Sequence, residues 1–252
     1  MEQNKFREAT KTRTLERWYR KRLKEVAKQI GLIASEWDGK DESGLQMSLF
    51  DYSVRLDEWA HAVSSIMIRR AAAADYETWL TIGKKISRAS RKKLKDAAVG
   101  PIYSRLQQEQ VTLIRSLPLE ASKKVHDWTM KGLQDGERFA DIVQRIKSDL
   151  GSVTTSRAVC IARTETARAR TNFTQARAQA VGSTHYIWKT VGDGAVRPMH
   201  RALNNTVQSW SEPPICDIGK GGEPIRSHPG CVFNCRCFPT PIFIEKDDEE
   251  KI

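Results

Sequence analysis

The chain has 252 residues, 39% hydrophobic and 29% charged, with a formal net charge of +11. That length can bury a sizeable core in one large or two smaller domains, and the charge fraction suits long helices with one wet face. No run approaches the roughly 18 apolar residues a membrane span needs, so no membrane partner is expected.

The N-terminus Met-Glu-Gln-Asn-Lys-Phe-Arg lacks the apolar stretch of a signal peptide, which points to synthesis in a reducing host cytoplasm. Five cysteines, an odd number, argue against a pure disulfide framework and leave metal binding or free thiols. Residues 1–150 carry 29 Lys/Arg against 21 Asp/Glu, residues 151–244 carry 11 against 5, and the tail from Glu245 carries 2 against 5. Both bodies are basic and suit contact with a polyanion; the acidic tail 245–252 reads as disordered.

Leu15, Trp18, Tyr19, Leu23, Val26, Ile30 and Ile33 recur at three- and four-residue spacings, predicting an amphipathic helix over 11–34 with a basic opposite face. A loop around Gly39 leads to a second helix over about 53–81, marked by Val54, Trp59, Val63, Ile66, Met67 and Trp79. Lys84, Lys85, Arg88, Arg91, Lys92, Lys93 and Lys95 follow with no acid among them. Such a run is more often a solvated face than a phosphate clamp, yet it is the best candidate here for double-stranded DNA. No aromatic residue interleaves it, so stacking on single strands has no support.

From Ile102 a helical segment ends at Pro118, and another runs over about 119–133 with Gly132 and Gly136 flanking its stop. Phe139, Ile142, Val143, Ile146 and Leu150 line a short helix that Gly151 should close. A long helix then runs from a cap at 154–156 to Gly182 and places Glu165 among apolar neighbours, where a carboxylate needs a partner. Beyond Gly182 the period changes. A strand is predicted around 186–190, a turn at Gly192-Asp193-Gly194, a strand over 207–210, and a third over 238–244 that Pro239 and Pro241 confine to an edge. The fold class expected is α+β, predominantly α, with a basic helical region 1–104 ahead of a module 105–244 that joins a long helix to a short antiparallel sheet.

Trp188–Phe238 holds four of the five cysteines and two of the five histidines. His228, Cys231, Cys235 and Cys237 give H-x2-C-x3-C-x-C, with His200 and Cys216 in reserve, and thiolate with imidazole suits Zn2+. A metal-free, hydrogen-bonded knot is the competing reading. A second group, Arg163 and Glu165 with Asp193, Arg197 and His200, reads as an ion-pair cluster pinning the turn to the long helix. Cysteine, histidine and acid together also permit a cysteine- or metal-dependent hydrolase. The local signatures of such enzymes are missing, so no catalytic residue is assigned.

I-A-R-T-E-T-A-R-A-R-T-N (161–172), W-K-T (188–190), D-x3-R-P-x-H (193–200) and H-P…N-C-R-C (228–237) occur in that order. Together with Q-V-T-L-I-R-S-L-P (110–118) and G-x3-G-E-R-F-A-D-I (132–142), they resemble the phage Mu protein F-like family of minor head proteins, the phage head-morphogenesis domain. The resemblance covers about 105–242. It departs at Leu203-Asn204-Asn205, where members carry Leu-Asp-Gly or Leu-Asn-Gly, a substitution that still tolerates a left-handed turn. It departs again at the additional Cys231-Val232-Phe233. What it implies is a non-enzymatic minor capsid protein of a phage or prophage, resident in the virion at the inner head or portal vertex. Its implied partners are the portal protein, scaffold or major capsid protein, and packaged DNA.

Overall fold

The computed structural model describes residues 2–82, 92–93 and 99–243. Among the described residues the long helices are α1 (Glu2–Glu36), α2 (Glu42–Arg55), α3 (Asp57–Ile82), α4 (Gly100–Gln134) and α5 (Phe139–Ala180). The short elements follow: β1 (His185–Lys189), helix α6 (Pro198–Ala202), β2 (Val207–Ser209), β3 (Ile215–Ile218), β4 (Pro224–Arg226) and β5 (Phe238–Pro241). The protein is therefore predominantly helical with small antiparallel sheets. Two compact units emerge, and neither is continuous in sequence. One gathers residues 1–15, 67–106 and 163–252; the other gathers 16–66 and 107–162.

The second unit is all helical. On α1 the four-residue spacing puts Tyr19, Leu23, Val26 and Ile30 in the core, and the Tyr19 hydroxyl donates to Gln110 Oε1 at 3.0 Å. Asp41 caps α2 by accepting from the Ser43 and Gly44 amides. The helix predicted over 53–81 is divided at Leu56, although hydrogen bonds from the Leu56 amide to the Tyr52 carbonyl and from the Ala60 amide to the Leu56 carbonyl carry the chain across.

Two expected breaks are absent. Helix α4 continues through Pro118, which costs about 3 kcal/mol in a helix interior. Ile114, Leu117, Ala121 and Val125 are all buried around it, and at about 1.5–3 kcal/mol per buried aliphatic side chain that packing outweighs the penalty. Gly151 lies inside α5 and does not end it. A Cβ built there would sit 3.2 Å from the Gly31 Cα, so this glycine serves a backbone-to-backbone approach between α1 and α5. Gly136 (φ 73°) does end α4, with the Glu137 amide donating to the Gly132 carbonyl at 2.8 Å.

In the first unit, α5 stops at Gly182 (φ 90°), where the Ser183 amide returns to the Ala178 carbonyl. A three-stranded antiparallel sheet follows in the order β2-β1-β5. Trp188 lies opposite Pro239 and Tyr186 opposite Pro241, so both prolines fall on the edge strand as expected. The β3–β4 hairpin and α6 were not anticipated. Trp79, Ala178, Tyr186, Trp188 and Trp210 pack with Cys216, Cys235 and Cys237 in one apolar cluster. Beneath it Asp75 and Arg177 form an ion pair with side chains only 2% and 7% exposed, and Thr174 donates to the same carboxylate at 2.5 Å.

Candidate functional site

The stretch from Trp188 to Phe238 is folded against α5 by hydrogen bonds from small polar side chains. Thr171 Oγ1 donates to the Pro229 carbonyl at 2.7 Å, and the Asn234 amide donates to Thr164 Oγ1 at 3.0 Å. Both threonines are buried, so each bond satisfies groups that water cannot reach. Gly230 (φ 83°) lies between them, and a Cβ there would come within 3.0 Å of both Thr171 Oγ1 and the Cys237 carbonyl. The His-Pro-Gly turn therefore needs glycine for its backbone sign and for the lack of room.

Two arginines close the same loop from opposite ends. Arg197, just before α6, donates to the Phe233 carbonyl at 2.8 Å and reaches Asp217 at 3.3 Å. Arg236 returns to Asp193 at 2.6 Å, and its hydrogen bonds hold the Asp193 carboxyl below the usual carboxylate range. Glu165 pairs with Arg168 on its own helix at 2.6 Å, while Arg163, two residues before Glu165, lies half-buried. Of the charged residues grouped from the sequence, Glu165, Asp193 and Arg197 thus fall in three separate ion pairs. Asn205 (φ 68°) takes the left-handed turn that the Leu-Asn-Asn segment was expected to tolerate.

Among the described residues, His200, Cys235 and Cys237 form a group whose donor atoms lie within 4.8 Å of one another. His200 Nδ1 is 3.4 Å from Cys235 Sγ and 3.5 Å from Cys237 Sγ. All three residues are buried, and Cys216 on β3, also buried, lies outside this group. Cys235 Sγ accepts the backbone amides of Gly230 and Cys237, at 3.3 and 3.4 Å. The thiol of Cys235 is held down by the hydrogen bond from Cys237, by that amide and by His200, while Cys237 is pushed up by sharing its proton with Cys235. Burial pulls the His200 imidazole down, but contact with Cys216 and Cys235 more than reverses this and raises it to about 9.

His228 and Cys231 are engaged elsewhere. His228 Nδ1 meets the Tyr186 hydroxyl at 3.0 Å and Nε2 meets Gln175 at 3.5 Å, in a ring packed edge-on to Tyr186; burial lowers its pKa. Cys231 Sγ lies 3.9 Å from the Pro229 carbonyl, with burial pushing its thiol up to about 12. The structure therefore joins His200, which the H-x2-C-x3-C-x-C spacing left in reserve, to Cys235 and Cys237.

A catalytic thiolate must meet its substrate, but Cys235 is 3% and Cys237 5% exposed. The cavity beside them, lined by Val196, Arg197, His200, Asn234 and the cysteines, holds about 90 Å3. That is room for roughly three waters, well short of the several hundred Å3 of a small-molecule site. Of the basic run, Lys92 and Lys93 are helical and exposed. Lys84, Lys85, Arg88, Arg91 and Lys95 lie outside the described residues.

Residues 123–239 match the family model described as "Phage Mu protein F like protein". A protein of Haemophilus influenzae that carries the name "Uncharacterized protein" is 32% identical over 142 residues, which are 56% of this chain and 29% of that relative. The aligned region thus spans less than a third of that relative. No solved structure matches, and no helix among the described residues is long and apolar enough to cross a membrane.

Proposed function

This chain belongs, through residues 123–239, to the phage Mu protein F-like family, and from that premise we propose that it is a structural minor head protein of a phage or prophage. In this reading it takes part in head morphogenesis at the portal vertex or inner capsid, and its basic helices face packaged DNA. The observation that carries the reading is how the motif residues are spent. Thr164 and Thr171 fasten the C-terminal loop, with its His-Pro-Gly turn, onto α5, and Arg197 and Arg236 tie that loop to the segment from Asp193 to α6. A group of side chains occupied in this way supports docking, and the enclosed cysteines offer no nucleophile to a macromolecular substrate.

An apolar stripe supports a protein partner. Met47, Phe50 and Val54, at helical spacing on α2, are 61%, 53% and 49% exposed. The portal or capsid proteins named by this reading are the occupants it calls for.

A structural component acts by stoichiometry and an enzyme by turnover. In a prophage lacking this chain, head yield is expected to rise in proportion to the amount of chain supplied. Full yield from trace amounts would reject the structural reading in favour of a hydrolase.

A further inference from the structure

We propose that His200, Cys216, Cys235 and Cys237 bind one structural zinc ion, with Cys216 as the fourth ligand in place of His228 or Cys231. A tetrahedral site with Zn–S near 2.3 Å and Zn–N near 2.0 Å requires nitrogen-to-sulfur separations of about 3.6 Å. His200 Nδ1 stands 3.4 and 3.5 Å from the two sulfurs of Cys235 and Cys237. That is the spacing a common cation imposes; a thiol–imidazole hydrogen bond has the same length, and the metal measurements below separate the two.

The chain topology explains how the four donors meet. Cys235 and Cys237 are two apart on an extended segment entering β5, which puts them on one face. His200 comes from α6, which packs against β3, the strand that carries Cys216. Cys216 is buried in the apolar cluster of Cys235 and Cys237; its sulfur lies outside the 4.8 Å group of the other three donors and would move inward to complete the shell. Cys231 is only half-buried, and its thiol lies against the Pro229 carbonyl. His228 has neighbours at both ring nitrogens.

The surroundings fit a thiolate-rich ion. Cys235 Sγ accepts two backbone amides, which is how an outer shell stabilises a ligating thiolate. The Trp188 indole lies edge-on to the His200 ring, with centroids 5.4 Å apart. His200 Nε2 is buried without a hydrogen-bond partner among the described residues, so the ring has nothing to hold it from that side. Three thiolates and one imidazole, closed off from solvent, form the donor set of a structural zinc site. The ion would join α6, β3 and the entry to β5, three short elements with few apolar residues of their own.

The test uses the full chain, expressed with zinc supplied and purified without chelator. Metal analysis is expected to give one equivalent of zinc, and X-ray absorption at the zinc edge to give three sulfurs and one nitrogen. Cobalt in place of zinc is expected to show the visible bands of a tetrahedral thiolate site. His228→Gln and either Cys231→Ser or Cys231→Ala keep the full equivalent with an unchanged cobalt spectrum, whereas Cys216→Ser binds at least tenfold more weakly. A metal-free protein that also fails to take up cobalt overturns the site. A shell other than three sulfurs and one nitrogen, or loss of zinc from folded Cys231 variants, overturns the ligand assignment.

Discussion

Gly230→Ala probes the fastening of the C-terminal loop at its tightest point. The residue has φ 83°, and the new Cβ would stand 3.0 Å from the Cys237 carbonyl and from Thr171 Oγ1. Holding a non-glycine residue in the left-handed region costs roughly 1–2 kcal/mol. Moving Thr171 aside adds the loss of its bond to the Pro229 carbonyl, about 0.5–1.5 kcal/mol for a typical hydrogen bond. Opposite it stands backbone that cannot rotate away, so overpacking contributes about 1 kcal/mol more. The sum is roughly 2.5–4.5 kcal/mol, and the transition that reports Trp188 and Trp210 should fall by roughly 5–15 °C.

Gly192→Ala serves as the internal control. Its φ is 79°, yet nothing lies within 4 Å of a Cβ built there, so it carries the backbone cost alone. Thermal unfolding followed by tryptophan fluorescence compares the two variants in the same part of the chain. If Gly230→Ala is no more destabilising than Gly192→Ala, the loop is not packed on α5 as described.

Asp75→Ala strands a buried guanidinium and is expected to cost about 3–5 kcal/mol; in a urea titration, Asp75→Leu combined with Arg177→Met should recover most of that loss. Gly151→Val should destabilise by about 1–3 kcal/mol through overpacking against Gly31, whereas a stability gain in the same titration would restore Gly151 to a helix-ending role. Hydrogen bonds from Arg236 hold Asp193 low; at Glu120 burial pushes the carboxyl up, but its bonds from Arg157 and Ser116 leave it lowered overall. A depressed folded pKa means the contribution is complete above the ordinary carboxylate value near 4 and disappears as pH falls through the folded value. Asp193→Asn should therefore melt lower than the unaltered chain at pH 6, and the two should converge toward pH 3. Lys92→Ala with Lys93→Ala should flatten the slope of log affinity for duplex DNA against log salt by about 1.8; an unchanged slope assigns those lysines to a solvated face.

The parts legible in the sequence were those governed by local rules. The switch to period two after Gly182 located β1, and Pro239 and Pro241 located an edge strand. Asn205 could take a left-handed turn in place of glycine. Helix ends were harder, because glycine has two uses that look alike in one dimension. Gly136 and Gly182 end helices, while Gly151 lets two backbones approach, and only the partner Gly31 tells them apart. Pro118 reads as a break until the buried side chains around it are weighed. The interleaving of the two units could not be read either, since it depends on how helices of 35 and 42 residues contribute to both. Cys216 was overshadowed for a similar reason. Spacing along the chain favours Cys231 and His228, but the β3–β4 hairpin, too short to show a period, brings Cys216 into the apolar cluster of Cys235 and Cys237.

The most direct test of the structural head-protein account is co-sedimentation of the full chain with procapsids on a density gradient. The account predicts that the protein migrates with the heads before DNA is packaged and is lost from them when Met47, Phe50 and Val54 are all changed to Glu. Recovery of the unaltered protein solely at the top of the gradient, with heads of normal composition beneath it, would contradict the account.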